Sequence, residues 1–266
     1  MKQQIPALLF VSFALTATSF AACGNTAGQI VSLDVQVGLY AGPTVHTRAG
    51  WEVVLSEARL AIGSIYVLAP AEQTARLREL RSILLPTALA HGGHDDYASL
   101  EVRAEWLGET VIDMGQPISI GAADGTAGPA EYTTLDLAMP RDASGPTHGH
   151  VAWVHGTATP LAGGDTIEFE GGLDLPDDTL SRSVESIASP FDVTRDGIFT
   201  LMIDAAPRTD VVSPSWLEDA DFARLPGEPG AVRTIAPGTQ PYIAWMLAAR
   251  DSDAFHTSYE PTAGAR

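Results

Sequence analysis

Histidines are the residues of this 266-residue chain whose types and spacing point most directly to chemistry. Five of the seven fall in two groups: His91-Gly-Gly-His94, followed by Asp95, Asp96 and Tyr97, and His148-Gly-His150 with His155 downstream. His46 and His256 stand alone and read as surface or capping residues. Neutral imidazole is a good ligand for zinc and copper(II), and two rings in one short segment can grip one ion. In the HGGH element the paired glycines let the backbone fold so that both rings converge. In the HGH element an extended backbone sends His148 and His150 to the same face, and a regular strand sends His155 to the other. Asp95 adds a carboxylate that ligates or orients a ring. The expected ligand set is therefore His91, His94, His148, His150, His155 and Asp95, with zinc or copper as the ion and no organic cofactor. The two segments together would supply four imidazoles to one tetrahedral or tetragonal site.

Other chemistry is poorly represented. The chain has no HExxH, GxSxG, Walker loop or dinucleotide fingerprint, so no catalytic residue is expected. A metallohydrolase using histidine ligands with Asp95 or Asp96 is the remaining catalytic alternative. Asp174-Leu-Pro-Asp177-Asp178 lacks the spaced ligands and glycine of a calcium loop and reads as a solvated turn. Trp51, Trp106, Trp153, Trp216 and Trp245 each lie in an apolar stretch, where core packing is the default. Exposed on one surface, they would instead make a stacking platform for a glycan. The methionines at 114, 139, 202 and 246 are scattered and read as core.

The N-terminal segment has the parts of an export signal in order. Lys2 gives a positive start, Ile5 to Leu15 is an apolar run, and Phe20-Ala21-Ala22-Cys23 closes it. The run is shorter than the roughly 20 residues a membrane-spanning helix needs and matches a signal-peptide core. Its end resembles the lipobox of bacterial lipoproteins, with Phe20 an uncommon occupant of the bulky position. That resemblance implies cleavage before Cys23 and lipidation of Cys23 with palmitate-type chains. Cys23 is also the only cysteine, so no intramolecular disulfide can form. Gly24, Asn25 and Thr26 follow without an aspartate, which by resemblance to Gram-negative sorting favours the outer membrane. In a Gram-positive cell the same signal means the outer face of the cytoplasmic membrane.

Lys2 is the sole lysine, so the chain from Cys23 onward carries 14 arginines against 33 acidic residues. Such an acidic surface argues against nucleic acid and against a basic membrane-binding patch, and it is compatible with attracting cations. It also keeps an exported protein soluble. With 25 glycines and 18 prolines the chain is loop-rich and below the disordered regime.

The elements that must position these residues are mostly strands. After a tether over 23–29, Ile30 to Leu39 alternates, and Trp51 to Leu68 is a long β-favouring run. That run shifts phase near Ser56, suggesting a bulge, and Gly63 marks a second bend. Residues 71–90 place Leu77, Leu80, Ile83 and Leu84 at helical spacing, ended or kinked by Pro86. Further strands are expected at Ser99–Leu107, Thr110–Ile120, Tyr132–Met139, Gly149–Thr159, Thr166–Leu173, Phe191 with Val193, Ile198–Asp204 and Pro241–Ala248. Asp124-Gly125, Gly163-Gly164, Pro176-Asp177-Asp178 and Asp196-Gly197 read as turns, and 215–224 as a helical turn capped by Ser215. The expected organisation is a signal peptide over 1–22, one domain over 30–259, and a disordered tail over 260–266. The expected fold class is mainly β, an antiparallel β-sandwich with one or two short inserted helices.

The strand-rich body, the stretch GWEVVLSEARLAIGSIYVLAP and the AHGGH element resemble uncharacterised outer-membrane or periplasmic lipoproteins of high-GC Proteobacteria. More loosely, the chain is similar to periplasmic copper-binding β-sandwich proteins that travel with metal-uptake systems, although it lacks the paired cysteines of some of them. The resemblance implies a non-catalytic, membrane-anchored protein that handles metal, with a metal-uptake or envelope protein as partner. The alternative is an envelope module binding a glycan or protein, with the histidines incidental.

Overall fold

A computed structural model describes residues 29–42, 44–69, 101–140, 142–176, 182–206 and 215–262. Cys23, His91, His94, Asp95, Asp96 and the expected 71–90 helix lie outside these residues.

The chain is mainly β. Its strands are β1 (Ile30–Tyr40), β2 (Val45–His46), β3 (Trp51–Leu68), β4 (Val102–Trp106), β5 (Thr110–Asp113) and β6 (Ile118–Thr126). They continue as β7 (Gly128–Leu137), β8 (Ala152–Pro160), β9 (Ile167–Leu173), β10 (Ser183–Val193), β11 (Gly197–Asp204), β12 (Arg233–Ile235) and β13 (Phe255–Pro261). All belong to one curled sheet, and it is mixed where an antiparallel one was expected. β1 runs parallel to β11 and β12 parallel to β9, while the other ladders are antiparallel.

β3 organises the sheet because it is long enough to serve two sets of neighbours. Its first half pairs with β8, which continues to β9 and β12. Its second half pairs with β4 on one edge and β7 on the other. The phase break at Ser56 is real: the β3–β8 register shifts between Leu55 and Glu57. The bend at Gly63 coincides with a second shift, between Ile62 and Ile65.

From β4 the ladders pass through β6, β1 and β11 to β13, and from β7 to β10. The two free ends then meet through side chains. The buried Ser189 hydroxyl bonds Thr133 Oγ1 at 2.7 Å and Thr257 Oγ1 at 2.9 Å, and Thr257 donates to the carbonyl of Ala188 at 2.8 Å. Leu33, Val35, Ile65, Val67, Ala104, Ala123 and Phe199 face one shared interior. Their removal from water is the main stabilising term for these strands.

Several local expectations are corrected. The expected Thr110–Ile120 strand is broken between β5 and β6 at Gly115–Pro117. Gly125 sits inside β6, not in a turn, and it is glycine because a Cβ there would overlap the carbonyl oxygen of Arg103 on β4. Pro241–Ala248 is not a strand: helix α1 spans Gln240–Ala248, with Thr239 capping Tyr242 N and Pro241 in the first turn. Tyr242 and Trp245 bury one side of α1, Trp245 against Trp216 at 5.7 Å between ring centroids. Over 215–224 the capping side chain is that of Asp221, which starts a 3-10 turn at Phe222–Arg224. The tail expected after Tyr259 is ordered through Pro261, since β13 pairs with β11 to that point.

Candidate functional site

His148, His150 and His155 lie together on the outer side of the β3–β8–β9 layer, around Trp153. On β8 the outward residues include Trp153, His155 and Thr157, alternating with buried Ala152, Val154 and Ala158. The HGH element is not the extended segment expected. It closes a tight turn before β8, with His148 at φ 55° and Gly149 at φ 87°. Two consecutive left-handed residues are unusual, and at a non-glycine residue this conformation carries a steric cost.

The turn is tied down from several directions. Asp142 Oδ1 accepts from both the backbone N–H (2.8 Å) and the hydroxyl (2.6 Å) of Ser144. These bonds, the side-chain one first, hold the Asp142 carboxyl below its ordinary pKa. Gly145 N donates to Asp142 O, His148 N to Gly145 O, and His150 N to Thr147 O. From β3, Arg59 reaches across to donate to the carbonyl of Pro146 at 2.8 Å. Arg59 also pairs with Asp113 on β5, at 2.7 Å.

This turn brings two imidazoles onto one indole. The His148 ring packs on Trp153 at 4.4 Å between centroids, and the His150 ring stacks on it at 6.0 Å with planes 19° apart. His150 occupies a slot left open by Gly172, the cross-strand partner of Trp153, where an added Cβ would overlap the imidazole ring. Asp174, two residues further on the same face, holds His150 Nδ1 at 2.9 Å. Asp174 is fixed in turn by the Tyr242 hydroxyl of α1, which accepts from its N–H at 3.2 Å and donates to its carbonyl at 2.9 Å. Carboxylate contact at one ring nitrogen fixes tautomer and orientation, as in the outer shell of metal-bound histidines. His148 is exposed, and its ring nitrogens have no hydrogen bond among the described residues.

His155 is arranged differently. Its Nδ1 meets Ser56 Oγ at 2.8 Å, on the bulge of β3, and its Nε2 meets Glu168 at 3.1 Å on β9. Both nitrogens are engaged, so ligation by His155 would require one of these bonds to break. His155 shares the face of Trp153 by strand alternation, and the sharp turn at 148–149 carries His148 and His150 round to that same face, where a regular strand was expected to separate them. Among the described residues no three His, Cys, Asp or Glu side chains form a ready metal cluster.

Backbone geometry also bears on the four-imidazole site expected with His91 and His94. Ala69 N donates to Glu101 O at 2.8 Å, so the 70–100 stretch leaves and rejoins the body beside Leu68. Val151, by contrast, accepts from Ala61 N, nearer the middle of β3. The His91–His94 segment itself lies outside the described residues.

Sequence reasoning missed Asp174, Gly172 and Tyr242, which complete the His150 environment. The Gly171-Gly172 pair inside an expected strand was the available signal, since glycine in a strand often marks the close approach of another group. The tryptophans divide: Trp51, Trp216 and Trp245 are buried, while Trp106 and Trp153 are half-buried.

No protein-family model and no curated protein matches the chain. A solved structure of a "putative cell adhesion protein" from Parabacteroides distasonis is similar at 12% identity and a TM-score of 0.21, over 88% of this chain and 53% of that one. The chain therefore spans about half the length of that protein, and a likeness this low carries no argument about fold or function.

Proposed function

We propose that this chain is a non-catalytic lipoprotein, anchored through Cys23 in the outer membrane, whose β-domain binds zinc or copper at the His148–Gly149–His150 turn. The observation that carries the reading is the paired packing of His148 and His150 on Trp153, with His150 oriented by Asp174. Two neutral imidazoles with one carboxylate-oriented ring suit a borderline divalent ion, with water completing the coordination. The acidic surface favours approach of a cation. In this reading the turn captures metal and passes it to a metal-uptake or envelope partner; His91, His94 and Asp95 lie outside the described residues. We also read the body as a two-layered β-sandwich, supported by the shared interior of β1, β3, β4, β6 and β11.

The test is calorimetric titration of the untagged chain from residue 24 onward with zinc and with copper(II). Saturable binding of one ion is expected, weakened at least tenfold by either His148→Ala or His150→Ala and little changed by His155→Ala. No uptake of either metal would overturn the metal reading and leave a glycan- or protein-binding envelope module.

A further inference from the structure

We infer that the end of the β-body at which β1 begins rests against the lipid surface, which holds the imidazole face clear of it, toward the surrounding compartment. The inference depends on the anchoring of Cys23 in the reading above. It comes from tracing the strands. β1 runs from Ile30 to Tyr40, and Ile30 pairs with Thr126 at one end of β6. At the same end Ala127 N donates to the carbonyl of Gln29, and Ala104 on β4 pairs with Gly125. Ala69 meets Glu101 beside Leu68 there, and the Asp196–Gly197 turn and Pro261 close the pole, with Thr262 N donating to Asp196 O.

Among the described residues two apolar side chains are exposed at this pole: Ile30 at 79% and Val102 at 36%. Exposed Arg195 accompanies them on the β10–β11 turn, where the Tyr259 hydroxyl accepts from its backbone N–H. Among the described residues nothing covers Ile30. A lipid surface would cover both side chains. Chain length makes the contact available, because the stretch from Cys23 to Ile30 spans at most about 25 Å when fully extended. The pole is thus confined near whatever membrane holds the cysteine.

The candidate face stands clear of it. Leu39 bridges Met114, and Met114 N donates to Ala58 O, so Leu39 is level with Ala58, the partner of Val154 on β8. Val151 accepts from Ala61 N, three residues nearer the pole than Ala58, which puts the His148–His150 turn about 20 Å along the body from Ile30. Leu161, exposed in the turn after β8, lies further still, about 50 Å from Ile30 by the same rise per residue. A site so placed exchanges its ion with a partner above the membrane surface.

The experiment uses the full chain, expressed with its own signal, processed in a bacterial host and reconstituted into vesicles of phosphatidylethanolamine and phosphatidylglycerol. Ile30→Cys and Leu161→Cys variants carry a donor fluorophore, and an acceptor is placed on the lipid headgroups. Energy transfer several-fold stronger from position 30 than from position 161 is expected. Equal transfer, or stronger transfer from position 161, on vesicles that carry the protein through flotation overturns the assigned pole. Failure of the unlabelled protein to float with vesicles overturns the anchor itself, and the pole with it.

Discussion

Replacing Gly172 with alanine separates folding from metal binding at the candidate site. The added Cβ would overlap the His150 ring, so the imidazole must leave its slot, losing both the stack on Trp153 and the bond to Asp174. The His150–Asp174 pair is partly exposed, at 32% and 47%, and such pairs contribute only about 0–1 kcal/mol. The ring stack adds about 0.5–1.5 kcal/mol. Alanine recovers about 0.5–1 kcal/mol over glycine in a strand. The net cost to folding is therefore about 0–2 kcal/mol, which at about 2–4 °C per kcal/mol lowers Tm by only a few degrees. Metal affinity should fall about 10–100-fold, the usual loss when a ligand's orientation is disturbed. Thermal melts and metal titration of the same preparation give both numbers. A double variant with His150→Ala should bind no worse than His150→Ala alone, because both changes act through one ring. Gly172→Ala with unchanged affinity and a lowered Tm would refute a ligand role for His150.

Protons compete with metal for imidazole, so affinity should be lower at pH 5.5 than at pH 7.5, and titrations at the two values check this. Copper(II) bound between the two rings should quench Trp153, so the quenchable part of the indole emission should vanish in Trp153→Phe while binding persists. Ser189→Ala removes the hydroxyl that joins Thr133 to Thr257, and urea denaturation should show a loss of about 1–3 kcal/mol from the polar groups left unpaired. The Asp142 carboxyl is held below its ordinary pKa by Ser144, so its stabilisation is complete above the unfolded value of 3.8 and is lost as pH falls through the lower folded value. Asp142→Asn should flatten that acid limb in a pH series of melts.

What could be read in the sequence depended on whether side-chain alternation survived locally. β3 was legible because Val53, Leu55, Ala58, Leu60 and Ile62 alternate cleanly on either side of one slip at Ser56. β10 was largely hidden, because register shifts at Val184–Ile187 and Ala188–Phe191 scramble its pattern, and Ser186 takes a φ of 60°. β13 was hidden because FHTSYEP is too polar to read as a strand; it is recruited by pairing with β11. PYIAWMLA is apolar on every side, so periodicity could not tell strand from helix, and the Thr239–Pro241 start signal was overlooked. At the candidate site the histidines themselves were legible, but their geometry was not. An extended HGH segment and a left-handed turn share the same letters, and Gly172 and Asp174 reach His150 only through the pairing of β8 with β9.

The central claim is that His148 and His150 bind metal together. Its most direct test is the nitrogen NMR spectrum of histidine side chains, assigned by single-site variants, as zinc is added at pH 7.5. The ring signals of His148 and His150 should shift together, reaching saturation at one equivalent, while those of His46, His155 and His256 stay in place. Zinc that leaves His148 and His150 unmoved, or moves only one of them, would contradict it.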